Sequence, residues 1–180
     1  MPSSLNVKRA TGMPETDFLE LSWEFFGELC RVLAVKIATS GYVPDIIVGI
    51  AKAGVIPGAV VASILRCDFY SMKISRDSGA ERVRARPRIL SAAPKDAAGK
   101  RVLIVDEICT SGETLRIARN ALLQVKPEEI RTATSLVKVG GYKPDFHALE
   151  TTETVVFPWD RHILNEAGEI VVNPLYQGML

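Results

Sequence analysis

The sequence predicts an α/β domain built on a central, mostly parallel, twisted sheet flanked by helices. Three stretches carry that prediction. Val102 to Val105 is an unbroken apolar run, preceded by Gly99 and followed by a polar cluster. Such a run reads as a strand buried on both faces of a parallel sheet. Asp45-Ile-Ile-Val-Gly-Ile50 repeats the pattern, running through a tight loop into a helix of small and branched residues that ends near Arg66. Ile130 to Val139, after the turn Pro127-Glu-Glu, is a third long strand.

Composition sets the bounds. A chain of 180 residues with 47% hydrophobic side chains can bury one core and is short for two, so a single domain over 1–180 is expected. Its 22 basic and 21 acidic side chains leave a net charge of +1, which argues against a nucleic-acid or membrane surface built on bulk charge. Cys30, Cys67 and Cys109 are widely spaced and odd in number, fitting neither a disulfide framework nor a zinc site. No segment has the composition of a signal peptide or reaches the roughly 20 apolar residues that span a bilayer. These features predict a soluble, cytoplasmic protein.

Residues 1–16 are mixed, with an arm or edge strand expected around Leu5 to Lys8. A helix is predicted from Asp17 to Ser40, with Phe18, Leu21, Phe25, Leu29 and Val32 on one stripe, Trp23 and Phe26 widening it, and Gly41 as its stop. After the helix from Val55 to Arg66, Asp68 to Ile74 alternates as a strand. Ser75 to Arg88 has almost no apolar residue except Val83 and carries Arg76, Arg82, Arg84, Arg86 and Arg88. Such a segment cannot bury itself, so a mobile loop or exposed hairpin is expected. Ser91 to Gly99 connects back to the strand at Val102, and Thr154-Val-Val-Phe157 is the last predicted strand.

The chemistry concentrates after Val105. Asp106 and Glu107 fall at the carboxyl end of a predicted strand, where open α/β sheets bind ligands. Thr110, Ser111, Gly112 and Thr114 follow, and then a helical stripe of Leu115, Ala118, Leu122 and Val125. Small hydroxyl residues and a glycine at a helix start present N–H groups and a positive dipole end, which suit an anion. Carboxylates beside an anion cradle suggest a sugar phosphate, the acids taking ribose hydroxyls and the amides a 5′-phosphate. Cys109 has no histidine near it in sequence to activate it as a nucleophile.

An acidic pair followed by T-x-G-x-T at the end of an apolar strand resembles the phosphoribosyl diphosphate (PRPP) signature of type I phosphoribosyltransferases. The resemblance covers roughly Pro44 to Asp160. It implies a core at about 44–160, an N-terminal arm and helix at 1–41, a flexible flap at about 75–88, a C-terminal tail at 161–180 and a small base-binding hood. Ala51-Lys52-Ala53-Gly54 is similar to the family's pyrophosphate loop, with Ala53 where glycine is common, and a strained or cis peptide would lie near Ala51-Lys52. Lys138 at one strand end and Phe157-Pro158-Trp159-Asp160 at another resemble the purine pocket of the hypoxanthine and xanthine-guanine enzymes. By that likeness Lys138 would donate to a 6-oxopurine oxygen, Phe157 or Trp159 would stack on the base, and Asp160 would lie near its 2-position edge.

The implied reaction is Mg²⁺-dependent transfer of phosphoribose from PRPP to a purine base, a salvage activity releasing pyrophosphate. Lys52, Asp106 and Glu107 would be its catalytic residues. Asp106 and Glu107 would also touch the metal, directly or through water. PRPP contacts would come from Ala51, Lys52, Ala53, Gly54, Asp106, Glu107, Thr110, Ser111, Gly112, Glu113 and Thr114. Two positions depart from the family pattern. Thr110 stands where 6-oxopurine enzymes usually carry a third acid, and Glu113 stands where a small or basic residue is more common. A phosphoribosyltransferase for another base, such as orotate, tolerates that threonine, as does a non-catalytic regulator that senses PRPP or a nucleotide. No DNA-binding helix pair precedes the domain. Family members commonly dimerise, and the first predicted helix offers apolar contacts for a homodimer.

Overall fold

The computed structural model describes residues 18–77 and 83–177. They fall into two compact units, one within Gly27–Thr151 and a smaller one of residues 18–26 and 152–177. The expected arm at 1–16 lies outside the described residues, as do 78–82 at the centre of the expected flap.

The larger unit holds a six-stranded sheet. Its strands are β2 (Ile46–Ala51), β3 (Asp68–Asp77), β4 (Val83–Ile89), β5 (Arg101–Cys109), β6 (Glu129–Lys138) and β7 (Phe146–Thr151), in the order β4-β3-β2-β5-β6-β7. All neighbours are parallel except β4, which runs antiparallel to β3 at the edge. The chain builds outward from β2 to β3 and β4, then returns to place β5 on the other side of β2. The order therefore reverses between β2 and β5, and the crevice at their carboxyl ends is where an open α/β sheet binds ligands.

Helix α2 (Val55–Leu65) packs on β2, with Gly58 flush against Gly49 and the Phe69 ring. Helix α3 (Glu113–Leu123) buries Leu115, Ala118 and Leu122 on the opposite face, with Val102, Ile104, Val48 and Ile130 of the sheet. This is the stripe the 3.6-residue spacing predicts.

Three local expectations are corrected. The first helix, α1 (Trp23–Thr39), starts at Ser22, whose Oγ accepts the Phe25 N–H at 3.1 Å, rather than at Asp17. Phe18–Glu20 is instead a short strand, β1, paired in parallel with β8 (Thr154–Val156) in a two-stranded sheet of the smaller unit. The buried stripe of α1 runs through Phe26, Leu29, Cys30, Leu33 and Ile37, whereas Val32 stays exposed. The strand through Val102 does not end at Val105; it continues through both acids to Cys109. The segment expected as a flap joins β3 and β4, so its two arms are a hairpin. Strand β7 and a second hairpin, β9 (His162–Leu164) with β10 (Ile170–Val172), have no counterpart in the sequence reading.

The starts of β2 and β5 are pinned by Asp45, which accepts from the Arg101 N–H at 2.8 Å and from both sides of its guanidinium at 3.1 and 2.8 Å. These bonds, with the Arg101 charge, hold the Asp45 carboxyl well below the usual carboxylate range. A depressed carboxyl contributes stability above its unfolded pKa of about 3.9 and loses it as pH falls through the lower folded value. Asp45→Asn is therefore expected to flatten the acid limb of a melting-temperature profile below about pH 4. An unchanged limb would show that the pair contributes nothing there.

Among the described residues no helix is long and apolar enough to cross a membrane.

Candidate active site

The crevice between β2 and β5 collects the predicted loops. Strand β2 ends at Ala51, the Ala51–Lys52 peptide is cis, and the chain turns through Lys52, Ala53 and Gly54 into α2. The turn is closed by N–H donation from Val55 to the Lys52 carbonyl at 3.2 Å and from Ile56 to the Ala53 carbonyl at 3.0 Å. Lys52 is exposed, free to reach a ligand, while Gly54 is buried. An added Cβ on Gly54 would stand 2.6 Å from Asp106 Oδ1 and 2.8 Å from Asp106 Cα. Only hydrogen fits there, and that close approach places the Lys52 loop directly on the acidic strand.

Asp106 is 8% exposed, and its Oδ1 accepts the Glu107 N–H at 3.0 Å. Burial, and then the neighbouring Glu107 charge, push its carboxyl well above the ordinary range. The partner of Asp106 across the ladder to β6 is Thr134, fully buried, whose hydroxyl has no hydrogen-bond partner among the described residues. Sequence reasoning passed over Thr134; its signal is the run Thr132-Ala-Thr-Ser135, hydroxyls inside an otherwise apolar strand.

Beyond the acids, Thr110, Ser111 and Gly112 form the loop into α3. Gly112 caps the helix at φ +72°, a conformation that favours glycine. Asp106, Ile108, Cys109, Thr110, Ser111, Gly112, Glu113, Thr114 and Leu115 line a cavity of about 160 Å³ at this helix start. Cys109 lies buried beneath the loop, hydrogen-bonded to the Gly112 backbone, and burial raises its thiol pKa. A thiol so placed supports the loop and is a poor nucleophile. A larger cavity, about 410 Å³, lies at the amino end of β6 between Arg119, Glu128, Arg131 and Asp145, away from the acids.

Lys138 ends β6, and the turn after it folds back on the hydroxyl loop. The Gly141 N–H donates to the Lys138 carbonyl at 2.9 Å, and the Tyr142 N–H donates to the Thr110 carbonyl at 2.8 Å. Tyr142, absent from the predicted site, lies over Gly112. Within the larger unit the structure thus gathers Ala51 to Gly54, Asp106, Glu107, Thr110 to Thr114 and the Lys138 turn at one end of the sheet.

Phe157, Trp159 and Asp160 belong to the smaller unit. There Phe157 and Trp159 stack on each other at 4.7 Å and 14°, and the Phe26 ring meets Trp159 edge-on at 4.8 Å. Trp159 Nε1 is buried with no partner among the described residues. Asp160 is half-buried and its carbonyl accepts from Asn173 Nδ2 at 2.9 Å.

Comparison with known proteins agrees with this arrangement. A xanthine-guanine phosphoribosyltransferase of Gluconobacter oxydans (strain 621H) is 26% identical over 155 residues, which is 84% of this chain and 90% of that protein. A purine phosphoribosyltransferase from Pyrococcus horikoshii Ot3 superposes with a TM-score of 0.70 at 26% identity, covering 83% of this chain and 99% of that one. A Helicobacter pylori xanthine-guanine-hypoxanthine phosphoribosyltransferase shares the fold, with a TM-score of 0.66 at 21% identity over 79% of this chain and 92% of that one. Residues 21–166 match the phosphoribosyl transferase domain family. That match spans most of the chain and both loops of the crevice, so this protein belongs to the type I phosphoribosyltransferases.

Proposed function

We propose that the protein transfers the phosphoribosyl group of PRPP to a 6-oxopurine, releasing pyrophosphate and giving a nucleoside monophosphate. The observation that carries this reading is the packing of the Lys52 loop, the two acids and the hydroxyl loop around one crevice. The purine names of the two relatives at 26% identity support the choice of base.

In the reaction a purine nitrogen bonds to carbon 1 of PRPP as the bond to pyrophosphate breaks, with inversion and an oxocarbenium-like transition state. Backbone N–H groups and hydroxyls of Thr110, Ser111, Gly112 and Thr114 hold the 5′-phosphate at the start of α3, fixing the reacting carbon. Lys52 meets the charge that develops on the leaving pyrophosphate, an electrostatic contribution that needs no covalent intermediate. Asp106 and Glu107 accept from the ribose hydroxyls. Their hard oxygen donors would suit Mg²⁺, directly or through water, and the ion would supply neutralisation of the leaving-group charge. Thr110 offers no carboxylate to deprotonate the base, so the purine proton passes to another residue or to water.

Lys138 selects the base, because an ammonium favours a carbonyl oxygen and opposes adenine's amino group. Phe157 or Trp159 stacks on the base and Asp160 reads its 2-position edge, assignments that rest on the sequence likeness. Residues 1–180 act in this reading as one catalytic domain, in the cytoplasm and as a homodimer. Exposed Val32 and Val35 on α1, with Val60 and Ile64 on α2, offer apolar contact surface for that dimer.

Lys138→Ala is expected to raise the KM for an oxopurine roughly 10- to 100-fold while changing the KM for PRPP little, the range for losing one charged hydrogen bond. Equal effects on both KM values would remove Lys138 from the base. Thr110 favours a second reading, a base of the orotate type, which turnover on orotate but on no purine would establish.

A further inference from the structure

Two loops that leave neighbouring strands are tied together at the mouth of the crevice. Thr110 follows β5 directly, Lys138 ends β6, and the two strands pair to their ends through Cys109 and Val137. Beyond the strand ends, three contacts hold the loops to each other, and one bond closes the Lys138 turn on itself. The Tyr142 N–H donates to the Thr110 carbonyl at 2.8 Å. Gly141 lies so close to that carbonyl that a Cβ there would collide with it. The Gly141 N–H donates back to the Lys138 carbonyl at 2.9 Å. A Cβ on Gly112 would stand 2.8 Å from Tyr142 Cβ and would strike the ring itself.

Tyr142 remains 50% exposed, so its ring is not placed there to fill a core. Its contact surface is the glycine that caps the hydroxyl loop. The close fit depends on two positions without side chains, one on each loop, and a fit of that kind transmits displacement because packed groups yield little. A shift of the Thr110 carbonyl moves the Tyr142 amide, and a shift of Gly112 moves the ring.

We propose that Tyr142 is a positioning residue that couples the two sides of the site: occupation of the hydroxyl loop by a sugar phosphate fixes the turn that carries Lys138 before the base arrives. This rests on the reading of Thr110 to Thr114 as the phosphate loop and of Lys138 as the base contact. The coupling makes PRPP the ligand that prepares the base side, so the base binds more tightly to the PRPP complex than to the free protein.

Backbone hydrogen exchange of the whole chain tests it, using PRPP with Mg²⁺ and no base. PRPP is expected to slow exchange both at 110–114 and at 138–142 in the wild type and in Tyr142→Phe. In Tyr142→Ala, which loses the ring over Gly112 but keeps the backbone bond to Thr110, the slowing at 138–142 is weaker than in the wild type, and the KM for the base at saturating PRPP rises about tenfold with a smaller change in kcat. Slowing at 110–114 with none at 138–142 in the wild type overturns the coupling while leaving the phosphate loop in place. So does a Tyr142→Ala protein that exchanges like the wild type. No slowing at 110–114 removes the phosphate-loop reading, and the coupling with it.

Discussion

Asp106→Asn is expected to lower phosphoribosyl transfer at least 100-fold and, at neutral pH, to make the protein more stable. The first effect arises from removing an ionisable oxygen from the place assigned to the ribose hydroxyls, where one lost polar contact typically costs about 10²–10³ in rate. The second arises from burial. Asp106 is 8% exposed, and burial together with Glu107 raises its pKa in the folded chain. Above the unfolded value of about 3.9 the unfolded chain ionises while the native carboxyl resists. Stability is therefore lost as pH rises from that value toward the folded one. Asparagine does not titrate, and its carbonyl oxygen can still accept the Glu107 N–H that Asp106 Oδ1 accepts at 3.0 Å. The expected gain is on the order of 1 kcal/mol, about 2–4 °C in Tm for a chain of this size. Melting curves between pH 4 and pH 8, with initial rates, check both. A variant less stable than the wild type at every pH contradicts the view of Asp106 as a carboxylate held for function against its own burial.

Gly54→Ala is expected to damage fold and activity together. Gly54 has φ −65° and ψ −12°, which alanine adopts readily, so conformational strain is not the reason. Space is. The new methyl would meet Asp106 Oδ1 at 2.6 Å, and the Asp106 Cα and the Ile50 carbonyl at 2.8 Å each. Two of the three are backbone atoms and cannot swing aside, so β2 and β5 must part at the crevice. Overpacking of this kind costs about 1–3 kcal/mol. A parting of even about 1 Å between the Lys52 loop and Asp106 can cost about 100-fold in rate. Gly27→Ala is the control: nothing lies within 4 Å of its would-be Cβ, and in a helix alanine is favoured over glycine by about 1 kcal/mol. Full activity in Gly54→Ala would mean that the close approach of the two loops is incidental.

The parts of the molecule legible in the sequence are those whose cause is local. The apolar run at Val102, the hydroxyl loop and the stripe of Leu115, Ala118 and Leu122 lie within some twenty consecutive residues. Each is read from its neighbours. Strand β7 is different. Phe146-His-Ala-Leu-Glu-Thr151 has no clean alternation, and it becomes a strand by pairing with β6 and through Asp145, whose Oδ2 accepts from the Thr132 N–H and hydroxyl at 2.7 Å each. β1 is three residues long and is made a strand by β8 more than a hundred residues away, so its apolar residues merged with the pattern of α1. The two acids were legible but their strand was not, because only the ladder to β6 carries β5 on to Cys109. Tyr142 gave no signal, because it meets Gly112 across thirty residues; Thr134 gave only the hydroxyl run Thr132-Ala-Thr-Ser135, and its place beside Asp106 comes from the register of β5 on β6.

Whether the crevice is a 6-oxopurine phosphoribosyltransferase site is decided by chromatographic detection of nucleotide formed from PRPP and Mg²⁺ with hypoxanthine, guanine, xanthine, adenine, uracil and orotate in parallel. Nucleoside monophosphate and equimolar pyrophosphate are expected with at least one oxopurine, and little or none with adenine. PRPP binding without product on any of the six bases would contradict the assignment.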